Sequence, residues 1–250
     1  MMLPPEARPP ATDARASVPE AAGRAPLERL VVFARRPDPG HVKLRLSPPL
    51  PREAGAEVYE ACLRDVLAGA LAEAPAVEIA YHDTRGAGEW FGATFPDVPA
   101  RPQAAGDPGV KLTAALEAAF GAGAERAVVV GTDAPGLPRG RLRQAFGALR
   151  SGDAVLGPTD DGGHYLLGFR RPAWAAARPL FEGVPWGTGR VFRSFRKRAL
   201  AASVRVTTLP LWYEVDQVAD LARVAPYIRA DTHLGRWLAG PMGRRYVARR

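Results

Sequence analysis

The sequence predicts an α/β fold, a doubly wound and mostly parallel sheet with helices on both faces. Two observations carry that reading. Short apolar runs without polar alternation, Leu30 to Ala34 and Ala127 to Val130, have the composition of strands buried on both faces. Such runs alternate with segments whose apolar residues recur at i, i+3 and i+4, the period of helices that cover a sheet. A third observation points to the working edge. The run to Val130 gives way to Gly131, Thr132 and Asp133, and ligands of open α/β sheets bind beyond the carboxyl ends of the strands, which puts Asp133 at the crevice. An Asp at this place can equally cap the helix that follows. Pro135, Gly136 and Pro138 make the turn, and Pro138 suits the first turn of that helix.

Taken in order, residues 1–26 are rich in Pro, Ala and Arg, lack any period, and are expected to form a disordered extension ahead of a domain over 27–230. The first strand, LVVFA, ends in a loop crowded with Arg35, Arg36, Lys43 and Arg45 around the Pro39-Gly40 turn. That loop can wrap a polyanion with backbone amides and guanidinium groups, or be a solvated turn. It matches neither the Walker A spacing nor G-x-G-x-x-G. Only Lys43, Lys111 and Lys197 among 34 basic residues are lysines, and two of them follow a Pro-Gly turn, which favours phosphate contact at Lys43.

Glu53 to Leu71 carries the stripe Tyr59, Leu63, Val66, Leu67 and Ala70 and reads as a packing helix. Val77 to Tyr81 reads as the second strand and Gly86 to Gly92, with Trp90 and Phe91, as an irregular loop. Leu112, Leu116 and Phe120 mark a helix feeding the central strand. After Asp133 come a helix to about Arg150, a strand at Ala154 to Gly157, the loop Asp160-Asp161-Gly162-Gly163, and a strand from His164 to Phe169. The loop glycines allow close approach to a ligand and its carboxylates can bind hydroxyls or act as a base, although a tight turn asks for the same residues. His164 reads as a strand-end residue. Trp186, between Val184-Pro185 and Gly187-Thr188-Gly189, is a lid or sugar platform, followed by a helix bearing Arg190, Arg193, Arg196 and Arg198. Val204 to Leu209 reads as the last strand, and Asp216 stands just before a helix through Val218, Leu221 and Val224, where capping is the alternative to ligand binding.

Composition sets the limits. With 250 residues and 47% hydrophobic content the chain can bury the core of one large domain. Its single cysteine, Cys62, lies among apolar residues and is expected to be a buried, inert thiol. No zinc-ligand cluster, apolar run of membrane-spanning length or secretory signal is visible, so a cytoplasmic protein is expected. The net charge of +8 divides into +4 over 231–250, an Arg-rich tail read as solvated, 0 over 1–26, and +4 spread over the body. A dilute excess suits an anionic small molecule, and nucleic acid is not expected.

FARRPDPGHVKLRL, VVVGTDAPGL, DDGGHYLLGF, PWGTGRV and EVDQVADL, in this order and spacing, resemble a bacterial family of glycosyltransferase A-like (GT-A) proteins in the nucleotide-diphospho-sugar transferase superfamily, over roughly residues 28–225. The first motif is also similar to the loop of the 2-phospho-lactate guanylyltransferases. The resemblance implies a GT-A-like fold in which Lys43 and Arg45, with Arg35 and Gly40, cradle nucleotide phosphates. It implies that Asp133 and Asp216 hold a divalent metal, Mg²⁺ or Mn²⁺, and that Asp161, Gly162 and Gly163, with Trp186 nearby, shape the acceptor or sugar side. Leu44 and Ala134 stand where the family has Thr and Cys. A hard ion agrees with a site of carboxylates lacking Cys and His.

The expected activity is therefore a metal-dependent transfer from a nucleotide donor to a small-molecule acceptor, first of all a nucleotide-sugar-dependent glycosyl transfer, with Asp133 and Asp161 as catalytic residues. Nucleotidyl transfer to a small phosphorylated acceptor uses the same parts. A nucleotide-binding module without turnover is the alternative from another class.

Overall fold

The computed structural model describes residues 27–247; the extension over 1–26 lies outside them. Among the described residues seven strands form one sheet: β1 (Glu28–Ala34), β2 (Val77–Tyr81), β3 (Ala100–Pro102), β4 (Arg126–Gly131), β5 (Ala154–Pro158), β6 (His164–Arg170) and β7 (Val206–Thr208). Their spatial order is β3-β2-β1-β4-β6-β5-β7. β3, β2, β1 and β4 are mutually parallel, as are β5 and β7. β6 alone runs against both its neighbours. The loop Thr159–Gly163 dictates this, because five residues turn β5 back on itself as a hairpin and leave no length for a parallel crossover.

The helices are α1 (Arg52–Glu73), α2 (Ala87–Thr94), α3 (Pro108–Gly121), α4 (Arg141–Ala148), α5 (Trp174–Ala177), α6 (Val191–Ala201), α7 (Val218–Val224), α8 (His233–Ala239) and α9 (Pro241–Val247). Alternation along each strand sorts the side chains to two faces. Leu30, Val32, Val128, Val130 and Leu166 face α1, α2 and α4. Val31, Val129, Leu167 and Phe169 face α3, α5 and α6. Each fully buried Val, Leu or Phe contributes about 1.5–3 kcal/mol by leaving water. The far side of α1, through Val58 and Cys62, packs on Leu46, Leu221 and Leu234 as a third cluster. Burial pushes the Cys62 thiol up to about 12, which keeps it protonated and inert.

Four sequence expectations are corrected. Gly86 to Gly92 is not an irregular loop: Gly86 takes a left-handed turn and α2 follows. There Phe91 is buried and stacks on Tyr81, with ring centroids 5.2 Å apart. The final strand is only Val206–Thr208. Pro138 does not open α4, which begins at Arg141 after Gly140. Residues 231–247 are not a free tail, although Arg236, Arg244 and Arg245 are exposed as a solvated segment requires. There α8 docks on α1 with Leu234 buried, and Asp65 accepts from the first amides, His233 N at 2.7 Å and Leu234 N at 2.9 Å.

Candidate active site

The parallel strands β1, β2 and β4 end at one edge, and the hairpin returns β6 so that it begins there. A cleft of about 570 Å³ opens at that edge, lined among others by Arg35, Lys43, Arg45, Lys111, Asp133, His164, Trp186 and Asp216. Six of the residues singled out from the sequence thus share one cavity: Arg35, Lys43, Arg45, Asp133, Trp186 and Asp216. Gly40, Asp161, Gly162 and Gly163 do not line it.

Neither aspartate caps a helix. α4 is capped from a distance, by Glu73 at the end of α1, which accepts from Gly140 N at 2.5 Å and Leu142 N at 3.0 Å. α7 is capped by Gln217 and Asp220 in a reciprocal box, with Asp220 accepting from Gln217 N at 2.7 Å. Asp133 and Asp216 are left to the cleft. After β7 the chain crosses the sheet edge, held by Trp212 Nε1 donating to Pro135 O (3.0 Å) and Arg141 donating to Pro210 O (2.7 Å). It then docks through Val215 N on Asp133 O. Residues 214–216 are in this way laid beside residue 133.

Lys43 is the hub. Its backbone is left-handed, with φ 48°, and its ammonium turns inward to donate to Asp133 Oδ1 and to Val215 O at 2.5 Å, 6.0 Å from the centroid of the Tyr59 ring. The Lys43 side chain is only 3% exposed while Asp133 is 45% exposed, so one end of the pair is buried and the other open. Burial would lower the lysine's proton affinity. The charge of Asp133 outweighs it and holds Lys43 ionised, above its ordinary range. Arg45 pairs with Asp216 at 3.1 Å. Tyr59 braces the floor, accepting from Arg35 N (2.7 Å) and Thr132 Oγ1 (3.0 Å), and burial followed by the Asp133 charge pushes its phenol up to about 12.

Arg35 and Lys111 differ from these. Among the described residues neither makes an ion pair with a carboxylate, and Lys111 Nζ meets only His82 Nδ1, at 3.5 Å. Burial, then the charges of Arg35 and Lys111, keep His82 below its ordinary range.

The loop after β5 is ordered by its own groups. Asp161 Oδ1 accepts from Thr159 Oγ1 (2.5 Å) and Gly163 N (2.9 Å). Gly162, at φ 87°, lies against Gly189, where a Cβ would come within 2.1 Å of the carbonyl oxygen. The glycine there is required by chain packing. Trp186 stacks on Phe181 and stands 6.1 Å from His164, and its Nε1 is buried without a hydrogen-bond partner. Gly109 admits the indole, since a Cβ there would meet Nε1 at 2.9 Å. Burial pushes His164 down to about 4 against the pull of Asp161, so the ring is neutral at pH 7.

One residue escaped the sequence reading. Burial, then the charges of Asp133, Asp161 and Asp216, pushes Glu214 up to about 8. The signal was its spacing: Glu214 and Asp216 flank Val215, which is fully buried and whose amide joins Asp133.

The donor set fits a hard divalent ion in part. Asp133 and Asp216 offer partly exposed carboxylate oxygens beside one cleft, and ions such as Mg²⁺ commonly take one or two carboxylates and complete their shell with water and substrate phosphate. Among the described residues no group of three or more His, Cys, Asp or Glu forms a full protein cage.

Residues 66–188 match the family model described as "Uncharacterized protein conserved in bacteria (DUF2064)". The chain is similar to a crystal structure from Desulfovibrio desulfuricans G20 described as a candidate nucleotide-diphospho-sugar transferase, at 27% identity and TM-score 0.84, covering 89% of this chain and 97% of that one. It shares its fold with Rv0371c of Mycobacterium tuberculosis H37Rv in complex with manganese (18% identity, TM-score 0.51, 81% and 100% covered). The same holds for 4-diphosphocytidyl-2C-methyl-D-erythritol synthase of Anaerococcus prevotii DSM 20548 (12%, TM-score 0.51, 77% and 94%). No curated protein matches the chain. The resemblance read from the five motifs is borne out, and the fold is the α/β fold of the nucleotide-diphospho-sugar transferases. No helix among the described residues is long and apolar enough to cross a membrane.

Proposed function

We propose that this chain is a metal-dependent transferase acting on a nucleotide donor, and that the donor is a nucleotide sugar. One observation carries the reading: in a single cleft, two carboxylates already balanced by cations, Asp133 and Asp216, stand with two uncommitted cations, Arg35 and Lys111. Diphosphate needs both kinds of group. Arg35 and Lys111 would bind its oxygens directly, with the guanidinium able to fork onto two of them. Lys43 and Arg45, already in the cleft, would add to this cradle. Mg²⁺ or Mn²⁺ held by Asp133 and Asp216 would supply charge neutralisation at the departing phosphate.

The other residues act on the sugar and acceptor side. Asp161, fixed through one carboxylate oxygen, would use the other to take a proton from the acceptor hydroxyl. Gly162 and Gly163 give the turn that holds it. Trp186, which lines the cleft, would offer an indole face to the sugar. Neutral His164 beside it would keep a second cation away from the sugar.

The domain is proposed to span 27–230 with the final helices docked on it, in the cytoplasm. A second reading, nucleotidyl transfer from a nucleoside triphosphate to a phosphorylated acceptor, is favoured by the surplus of uncommitted cations, which suits a longer phosphate chain. Thermal shift with nucleotide sugars and nucleoside triphosphates, each with and without Mn²⁺, tests both, because a ligand bound to the folded state alone raises its stability. A shift with nucleotide sugars supports the first reading and one confined to triphosphates the second. No shift with any of them overturns both.

A further inference from the structure

The Lys43 ammonium is held by oxygens of the kind that hold hard cations. Its partners are a carboxylate oxygen of Asp133 and the main-chain oxygen of Val215, with the charge of Asp216 close by, and hard cations are held by such oxygens. The left-handed backbone at Lys43 aims this side chain inward, while Leu44 and Arg45 beside it remain exposed. An ammonium in that position repels a divalent ion approaching the same carboxylate, and its burial keeps water from screening the repulsion. Lysine is also the residue able to leave, since its charge rides on a flexible four-carbon stem and it lines the cleft where phosphates would lie.

We infer that Lys43 is a built-in counter-cation of Asp133, which nucleotide phosphates draw away, so that divalent metal enters between Asp133 and Asp216 together with nucleotide and poorly without it. This rests on the function proposed above. Linkage makes the effect reciprocal: by the factor that nucleotide tightens metal binding, metal tightens nucleotide binding.

The test is Mn²⁺ binding in the absence of nucleotide, by calorimetry and by the electron paramagnetic resonance of free Mn²⁺. The full chain is compared with Lys43→Met and Lys43→Asn, folding being checked by circular dichroism. Asn suits the left-handed backbone, so at least one neutral variant keeps the loop. Both variants are expected to bind Mn²⁺ at least tenfold more tightly than the parent, and Asp133→Asn added to Lys43→Met should abolish the gain. Parental, weaker or absent Mn²⁺ binding in the neutral variants overturns the inference, as does a gain that survives Asp133→Asn. Failure of the proposed function reads differently: no nucleotide would stabilise the parent, while the nucleotide-free Mn²⁺ comparison would still report whether Lys43 holds the metal position.

Discussion

Val215 donates its backbone N–H to the carbonyl oxygen of Asp133 at 2.8 Å. This hydrogen bond is the join by which a segment late in the chain delivers Glu214 and Asp216 to the carboxyl end of the central strand. Lys43 then bonds both of the joined residues, so three distant stretches meet at one ammonium.

Two carboxylates alone would predict that removing either relieves repulsion. With Lys43 buried beside one of them the expectation for the ligand-free protein changes. Asp133→Asn should cost about 2 kcal/mol, less than the loss of a fully buried pair because Asp133 is half in water. Asp216→Asn, in an exposed pair with Arg45, should cost about 0.5 kcal/mol. Both should erase the metal-dependent part of nucleotide stabilisation. Urea unfolding and melting with nucleotide, with and without Mn²⁺, measure the two effects, and a full metal-dependent shift in Asp133→Asn would sink its assignment as a ligand.

Arg35→Ala and Lys111→Ala each remove a cation with no carboxylate partner among the described residues. Nucleotide affinity is expected to fall by about 1–3 kcal/mol with the melting temperature of the free protein almost unchanged. Titration calorimetry decides, and unaltered affinity in both variants would move the phosphates elsewhere.

Gly162→Ala meets a carbonyl at 2.1 Å from a left-handed backbone. A loss of at least about 2 kcal/mol in urea unfolding is expected, since strain and overlap both act on the folded state. Gly187→Ala, also at positive φ but facing open space, isolates the backbone part and should cost about 1 kcal/mol.

His164 sits at about 4 when folded, below its ordinary range near 6.5, first because it is buried. A depressed pKa means stability is fully present above the unfolded value and is lost as pH falls toward the folded one. Wild-type melting temperature should therefore decline between pH 6.5 and 4 by more than that of His164→Gln. Parallel declines would show that another group governs this window.

The strands are legible as short apolar-rich runs: the sequence bounds of Val77–Tyr81 coincide with β2, and those of β1 and β4 fall within a residue or two of the observed ends. Position along the fold was legible too, so Asp133 and Asp216 were placed at the right edge. Local signals failed where the partner is remote. The cap of α4 comes from Glu73, and no pattern near Arg141 announces it. The sequence puts Lys43 at the cleft but not its inward turn, which depends on Asp133 and Val215. The sequence offers Gly162 for close approach to a ligand, and the neighbour it approaches is Gly189. Glu214 carries no local signal because its character is set by burial and then by charges that include Asp133 and Asp161 from two other segments.

Glu73 starts α4 and Asp65 starts α8, and both belong to α1. Two short helices therefore draw first-turn acceptors from one long one, α8 adding its own Thr232 cap to Gly235 N, and both lose those acceptors while α1 is absent. Their amides should not fray on their own: in native-state hydrogen exchange the protected protons of α4, α8 and the Asp65–Glu73 half of α1 are expected to open as one unit, with a common free energy and a common dependence on denaturant.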